Sequence, residues 1–416
     1  MTLSDFDSDY EVITSCRICD SEDLHVVLDL GIQPLANALR EIGDLSEEKK
    51  FPLILLRCRF CTSIQLSVNV NPKLMFQNYF WVTGTSNTAR EHCQHLVFEI
   101  SKYLEDSQSV LEIGSNDGTL LNEFLKITSG QIFGIDPAMN IYQDSSDSKI
   151  TVLTDFFTSK FATRFRSEFG QVDLVVARNV LSHVPDLKDV FIGIDSLLSP
   201  SGIFVVEFHE ATKILSEIHY DSIYHEHTFY HSIKSMTEAQ SKIGLVPFDI
   251  LQSPISGGSY VLISSRISRP PSSRLLEAIK NEEKSGVQSE RAWMEFADKS
   301  RENLEEIKSF LATAKDKTVV AFGASARSST LINAIGVLAH NLTAIADNNP
   351  LKWNKSSPGS QLKIDSPKSL IDENVKVVFI CPFNFEAEIV EYLKRDLGWH
   401  GLVFLPLPGK PRVYSI

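Results

Sequence analysis

Within eight residues, Tyr224-His225-Glu226-His227-Thr228-Phe229-Tyr230-His231, the chain places three of its 11 histidines and two tyrosines. Imidazole is the side chain whose ordinary pKa lies nearest neutrality, so one histidine with a carboxylate to orient it is a ready general base. Glu226 and His227 offer that combination, and Tyr224 adds a hydroxyl donor. Metal chemistry fits less well here. The H-E-x-x-H spacing that sets two imidazoles on one helical face is absent. The plain alternative is a polar loop rich in hydrogen bonds.

Metal chemistry fits better near the N-terminus. Cys16-Arg-Ile-Cys19 and Cys58-Arg-Phe-Cys61 are two C-x-x-C knuckles. Four thiolates close the tetrahedral shell of one Zn²⁺, which makes the ion structural because no position remains for a substrate. The gap between the knuckles exceeds the usual zinc-ribbon spacing, so a segment must loop out. A redox pair of motifs or four unrelated buried cysteines are the alternatives. Neither knuckle sits in a βαβ pattern, which favours zinc. Between the knuckles, residues 28–39 read as an irregular apolar segment packed on the metal knuckles. Cys93 and Cys381 read as ordinary buried residues.

A third constellation has the form of a ligand cradle. Val110-Leu-Glu112-Ile-Gly114-Ser115-Asn116-Asp117-Gly118 runs from a buried parallel strand into a sharp turn, and Thr119 starts a helix. Glycines there let a ligand approach backbone that a Cβ would block. The dinucleotide fingerprint G-x-G-x-x-G is absent, and no Gly-Lys-Ser/Thr follows to cradle phosphates. One βα unit on, Ile132-Phe-Gly-Ile-Asp136 ends a second strand in a carboxylate suited to ribose hydroxyls. These features favour a nucleoside without phosphates, and S-adenosylmethionine fits. A generic strand-turn-helix with no methyl donor is the alternative.

The elements that must position these groups follow an α/β rhythm. A helix is expected from Ser86 to about Leu104, and strands at 110–112, 132–135, 150–153, 172–177 and 203–208. Asp155-Phe156-Phe157, then Asn179 and His183, fall at the carboxyl ends of strands, where open α/β sheets bind ligands. A helix cap for Asn179 and a packing role for His183 are the alternatives. Phe76, Tyr79, Phe80 and Trp81 crowd a short span that reads equally as packing or as a lid. After Arg269-Pro-Pro-Ser-Ser273, a charged helical stretch to about Ala314, broken near Gly286, bridges to a second α/β unit. There Gly323-Ala-Ser-Ala follows one strand and Asp347 ends the next, as in a second nucleotide-binding sheet or a structural lobe.

At 416 residues, with 43% hydrophobic and 22% charged residues, the chain is expected to form several globular domains. A formal charge of -13 argues against nucleic acid or an anionic membrane as partner. No apolar run approaches the roughly 20 residues that span a bilayer. The acidic N-terminus lacks a signal-peptide pattern, so a reducing, cytoplasmic setting is expected. No long exposed heptad suggests a partner helix, and a monomer is expected.

Taken in order, the paired knuckles, Glu112-Ile-Gly-Ser-Asn-Asp-Gly118, Ile223-Tyr-His-Glu-His227 and the Gly323 loop resemble the sugar C-methyltransferase family that acts on nucleotide-linked ketosugars. The resemblance covers nearly the whole chain. It implies a zinc-binding module over residues 1–75 and a class I, Rossmann-like S-adenosylmethionine methyltransferase over 76–268. A linker helix with a second Rossmann-like, substrate-binding domain then spans 269–416. It further implies that His227 abstracts the proton, with Tyr224 and Glu226 beside it, and that Tyr79 reaches the substrate. Here Asn78-Tyr-Phe-Trp-Val-Thr departs from the family's Tyr-x-Tyr-x-Ser pattern. Donor contacts map to residues 112–118, Asp136, Phe156, Asn179 and His183. The implied substrate is a nucleotide-linked sugar, dTDP-linked among the candidates. An O- or N-methyltransferase, or a non-catalytic S-adenosylmethionine-binding protein, are the rival readings.

Overall fold

The computed structural model describes residues 8–76, 82–105, 107–138 and 149–416. Tyr79, Phe80 and Trp81 lie outside the described residues.

The central sheet has seven strands, in the order Val246–Ser253, Ser259–Ser265, Leu198–His209, Val172–Arg178, Val110–Ile113, Ile132–Ile135, Ile150–Leu153. The last five run parallel and the first two add antiparallel. Parallel strands need helices on both faces, which is why their sequences are continuous apolar runs rather than alternating ones. Helices Asn87–Ser101 and Thr119–Phe124 bury Leu96, Leu120, Leu121 and Phe124 on one face. Helices Ser159–Phe169, Leu187–Leu197 and Ile233–Ser241 bury Phe161, Phe165, Val190, Ile194 and Met236 on the other. Four of the five starts are set by a side-chain cap: Ser86 accepts from the Ala89 N–H, Thr158 from Phe161, Asp186 from Lys188 and Asp189, and Ser232 from Ser235. The chain leaves Val110–Ile113 in one direction and returns on the other side at Val172–Arg178. That reversal opens a crevice at the carboxyl ends of these two strands.

The C-terminal lobe repeats the plan. Its eight-stranded sheet runs Arg412–Ser415, Leu402–Leu405, Val375–Ile380, Thr318–Phe322, Leu342–Ala346, Lys363–Asp365, Lys355–Ser356, Arg40–Glu41. The reversal falls between Thr318–Phe322 and Val375–Ile380. The expected bridging helix is two helices, Ser273–Ser285 and Glu290–Thr313, parted at Gly286, whose φ of +75° suits a residue without Cβ.

Strands Leu24–Pro34, Lys50–Cys58 and Ile64–Leu66 form the antiparallel sheet of the N-terminal module. Two strands are lent between sheets. Phe229–Tyr230 pairs with Ile64 and Gln65, and Arg40–Glu41 pairs with Lys355–Ser356. The segment between the knuckles differs from expectation. Most of it is regular strand, and Leu28, Leu30 and Leu39 join the core beneath the C-terminal lobe. The knuckle residues Cys16, Ile18, Cys58 and Cys61 instead share a core with the central seven-stranded sheet. The reason is burial: the strand's apolar face meets the helix Glu290–Thr313, whose Trp293, Phe296 and Ile307 belong to the same core.

Candidate active site

The Cys16, Cys19, Cys58 and Cys61 thiols converge with all four sulfurs within 4.8 Å of one another. Cys16 and Cys61 lie 3.5 Å apart, Cys19 and Cys58 3.6 Å, and none forms a disulfide. A tetrahedron with Zn–S bonds of about 2.3 Å has S–S edges of about 3.8 Å, so the donor set fits zinc. The knuckle also stiffens its surroundings. Buried Arg17 donates to the Leu66 and Val68 carbonyls, and Asn69, which it also contacts, donates to the Pro185 carbonyl.

The carboxyl ends of both Rossmann-like sheets face one continuous cleft of about 1830 Å³. That exceeds the roughly 300–1,000 Å³ of a cleft for one small ligand, so two ligands can be held together. Along the first sheet the cleft is lined by Glu112, Gly114, Ser115, Asn116, Asp117 and Asp136, and then by Phe156, Asn179 and His183. Gly118 does not line it. With φ of +77° it turns the backbone into the Thr119–Phe124 helix. The turn is braced from outside: Asn116 Oδ1 accepts from the Thr83 N–H at 2.9 Å and Asp117 Oδ2 from Gly84 at 2.8 Å. Asp136 accepts from the N–H of Asn116 and of Ala138, at 2.8 and 2.9 Å. Those bonds use one lone pair on each oxygen and fix the carboxylate at the strand end.

Beneath the loop lies a buried charge network that the sequence did not reveal. Arg178 donates to Glu207 at 3.0 Å and to the Cys93 sulfur at 3.1 Å, and approaches Glu112 at 3.8 Å. Glu207 also accepts from Ser253 at 2.6 Å and lies 3.1 Å from His92. Burial opposes the charge of Glu207, but His92, Arg178 and Ser253 hold its pKa down at about 2. Glu112 is less well served. Burial pushes it up to about 8, Arg178 only partly countering, and its Oε2 has no hydrogen-bond partner. An orphaned carboxylate oxygen in the wall of the cleft suits a cationic ligand such as a sulfonium amino acid.

The Tyr224–His231 segment divides by direction. His225 is buried and points to the Phe51 and Pro52 carbonyls, at 3.3 and 3.2 Å. His227 faces the cleft. Its Nδ1 lies 3.2 Å from the Ser222 carbonyl, which can only accept, so Nδ1 carries the proton and Nε2 the lone pair. The Tyr224 hydroxyl lies 2.7 Å from that Nε2. Burial, with His183 and His209 close by, keeps the His227 ring neutral well below its ordinary pKa. The His183 ring packs against it at 4.8 Å, because Thr228 ties the segment to the Ser182 and Val184 carbonyls. The expected Glu226–His227 pairing is not made. The Glu226 carboxylate turns the other way and accepts from Asn37 Nδ2 at 2.7 and 2.9 Å.

Sequence reasoning passed over several groups the fold brings here. Buried His209 ends the Leu198–His209 strand on the cleft, and burial holds it neutral down to about 3. Asp221, one residue before Ser222, takes a two-pronged ion pair from Arg327 of the C-terminal lobe, at 2.8 and 2.9 Å. Asn37 comes from the N-terminal module. The available signal was a lone amide inside the apolar run Pro34-Leu-Ala-Asn-Ala-Leu39. In the second lobe, Asp347 accepts from the Ala324 N–H at 2.7 Å, while Lys352 bonds the Ala324 carbonyl at 2.8 Å and lies 3.3 Å from Asp347.

Three family models match successive parts of the chain: a zinc binding domain over residues 16–76, a methyltransferase domain over 86–248 and a C-methyltransferase C-terminal domain over 254–408. The C-methyltransferase NovU of Streptomyces niveus is 30% identical over 410 residues, 97% of this chain and 97% of that protein. Among solved structures, the magnesium protoporphyrin IX methyltransferase of Synechocystis PCC 6803 with bound SAM aligns at 14% identity, TM-score 0.33, over 46% of this chain and 87% of its own. The 1,6-didemethyltoxoflavin-N1-methyltransferase of Burkholderia thailandensis aligns at 15% identity, TM-score 0.33, over 44% and 81%.

Proposed function

The chain belongs to the C-methyltransferase family, and from that premise we propose that it methylates a carbon next to the ketone of a nucleotide-linked sugar, a dTDP sugar first among the candidates. It is a S-adenosylmethionine-dependent methyltransferase with a structural zinc ion held by Cys16, Cys19, Cys58 and Cys61. When bound, S-adenosylmethionine supplies an electrophilic methyl group and departs as S-adenosylhomocysteine. The 112–118 loop, Asp136, Phe156, Asn179 and His183 hold it, with Asp136 at the ribose.

The observation that supports the reading is the state of His227: a neutral imidazole on the cleft whose Nε2 lone pair accepts from the Tyr224 hydroxyl. That is the form a base needs to take a proton from carbon beside a ketone. As the C–H bond breaks, the electron pair moves onto the ketone oxygen, and the proton stays on Nε2. Tyr224, which leaves Nε2 for the ketone oxygen before the proton moves and so frees the lone pair, donates to the enolate oxygen, with Tyr79 as a second donor. The enolate carbon then forms the new C–C bond to the methyl group, and His227 returns its proton to solvent. Glu226 accepts from a sugar hydroxyl. Neutral His227 does this without metal assistance, while the zinc braces the module behind it.

The second sheet, with Asp347 after the Leu342–Ala346 strand and Lys352 in the short helix that follows, takes the nucleotide. We retain residues 1–75, 76–268 and 269–416 as the working division of the chain. A monomer is the proposed working state.

Exchange in D₂O tests the reading. With S-adenosylhomocysteine bound, wild type should wash deuterium into thymidine-diphospho-4-keto-6-deoxyglucose, and His227→Asn should not, while binding the homocysteine product as tightly. Exchange that persists in His227→Asn would remove the base; an O- or N-methyltransferase would show none in wild type.

A further inference from the structure

We propose that Asn37, carried by the metal module, is a positioning residue of the catalytic cleft that holds the Glu226 carboxylate in place and favours its ionised form. The inference rests on the reading that this cleft holds a polar sugar.

Asn37 is fixed from both sides. Pro34 closes one strand by pairing with Lys50, and Arg40 opens the next by pairing with Ser356 of the C-terminal lobe. Only residues 35–39 span that step between two sheets. Leu35 and Ala36 are buried, and the turn is closed by Ala38 N–H to the Leu35 carbonyl, at 3.1 Å. The amide therefore cannot drift, and its Nδ2 meets both Glu226 oxygens, across 189 positions of sequence.

Glu226 needs such a partner. It is 3% exposed, and among the described residues it has no ion-pair partner and no other side-chain hydrogen bond. Burial raises its pKa and the Asn37 contact opposes that rise, leaving it at about 7. The titratable groups around it are Tyr224, His225 and His227 on its own segment, and His183, whose ring reaches the Glu226 backbone. All three imidazoles are driven neutral by burial, so none supplies a countercharge. A neutral amide suits this task. An arginine in its place would hold the carboxylate ionised by charge and occupy its outward lone pairs, whereas the amide leaves those free to accept from a ligand hydroxyl.

The test reads Glu226 directly, without a substrate. In protein labelled with ¹³C at glutamate carboxyls, the Glu226 resonance is identified by its loss in Glu226→Gln. Asn37→Ala should move its titration upward by about one pH unit or more, as loss of a charge-assisted hydrogen bond requires. Asn37→Asp should split it into two steps, since two carboxylates in contact share one proton. Zinc content and S-adenosylhomocysteine affinity serve as controls for folding, and Asn37→Ser replaces Asn37→Ala if the latter loses zinc. An unmoved titration in a zinc-loaded, donor-binding variant would overturn the proposal. If wild type fails to exchange the keto sugar, the functional reading falls, and the titration still decides whether Asn37 sets the state of Glu226.

Discussion

Removing one side of the Arg327–Asp221 ion pair should unseat His227, the proposed base, from a distance. Asp221 is 1% exposed, and both its oxygens are taken by the Arg327 fork, at 2.8 and 2.9 Å. Arg327 also lies over the Phe383 ring at 4.7 Å. Arg327→Met would keep much of the packing and strand a buried carboxylate, a change that typically costs about 3–5 kcal/mol. Asp221 immediately precedes Ser222, whose carbonyl fixes the His227 tautomer. A displacement there of about 1 Å is expected to slow turnover roughly 100-fold. Donor affinity should hold, because the 112–118 loop takes no part in the pair. Urea denaturation followed by tryptophan fluorescence, with turnover and S-adenosylhomocysteine titration, would measure all three. Asp221→Asn combined with Arg327→Met should recover most of the stability, since no charge is then left buried. Arg327→Lys should recover little, having lost the fork. An unchanged urea midpoint and unchanged turnover in Arg327→Met would refute the reasoning.

Two further outcomes follow from the described geometry. Chelation of zinc should expose four titratable thiols and abolish turnover, because the knuckles share a core with the catalytic sheet; full turnover in zinc-free protein would show the module to be dispensable. Glu112, whose pKa is raised from 4.5 to about 8, binds its proton more tightly folded than unfolded, so apo-protein stability should fall as pH rises between those values, by at most about 3 kcal/mol between pH 6 and 8.5, and Glu112→Gln should flatten the dependence in urea midpoints.

What could be read beforehand follows from how local each signal is. The strand at 110–113, the turn at Gly114 and the carboxylate at Asp136 are each written in a few neighbouring residues, as are the knuckles. The direction of side chains within Tyr224–His227 was not legible. Strand periodicity would put His225 and His227 on one face, but a turn closed by the His227 N–H on the Tyr224 carbonyl sends them apart, and the partners are chosen by distant chain. The Glu226–Asn37 contact and the Arg327–Asp221 pair span 189 and 106 positions, and nothing in either local sequence announces them. The segment 28–39 was misread because its apolar residues signal burial without saying against what. The Leu24–Pro34 strand carries register shifts, which blur the alternation that would have marked it.

The lent strands bear on the order in which the molecule can be made. The N-terminal sheet waits for Phe229–Tyr230, and Arg40–Glu41 waits for Lys355–Ser356. A ribosome will have emitted more than three-quarters of the polypeptide before the first fifth can finish pairing. Until then the knuckles can hold metal while their edge strands stay open. Recombining this family by exchanging one module between relatives would break those pairings, so the segments 1–75 and 229–230 should travel together, as should 40–41 and 355–356.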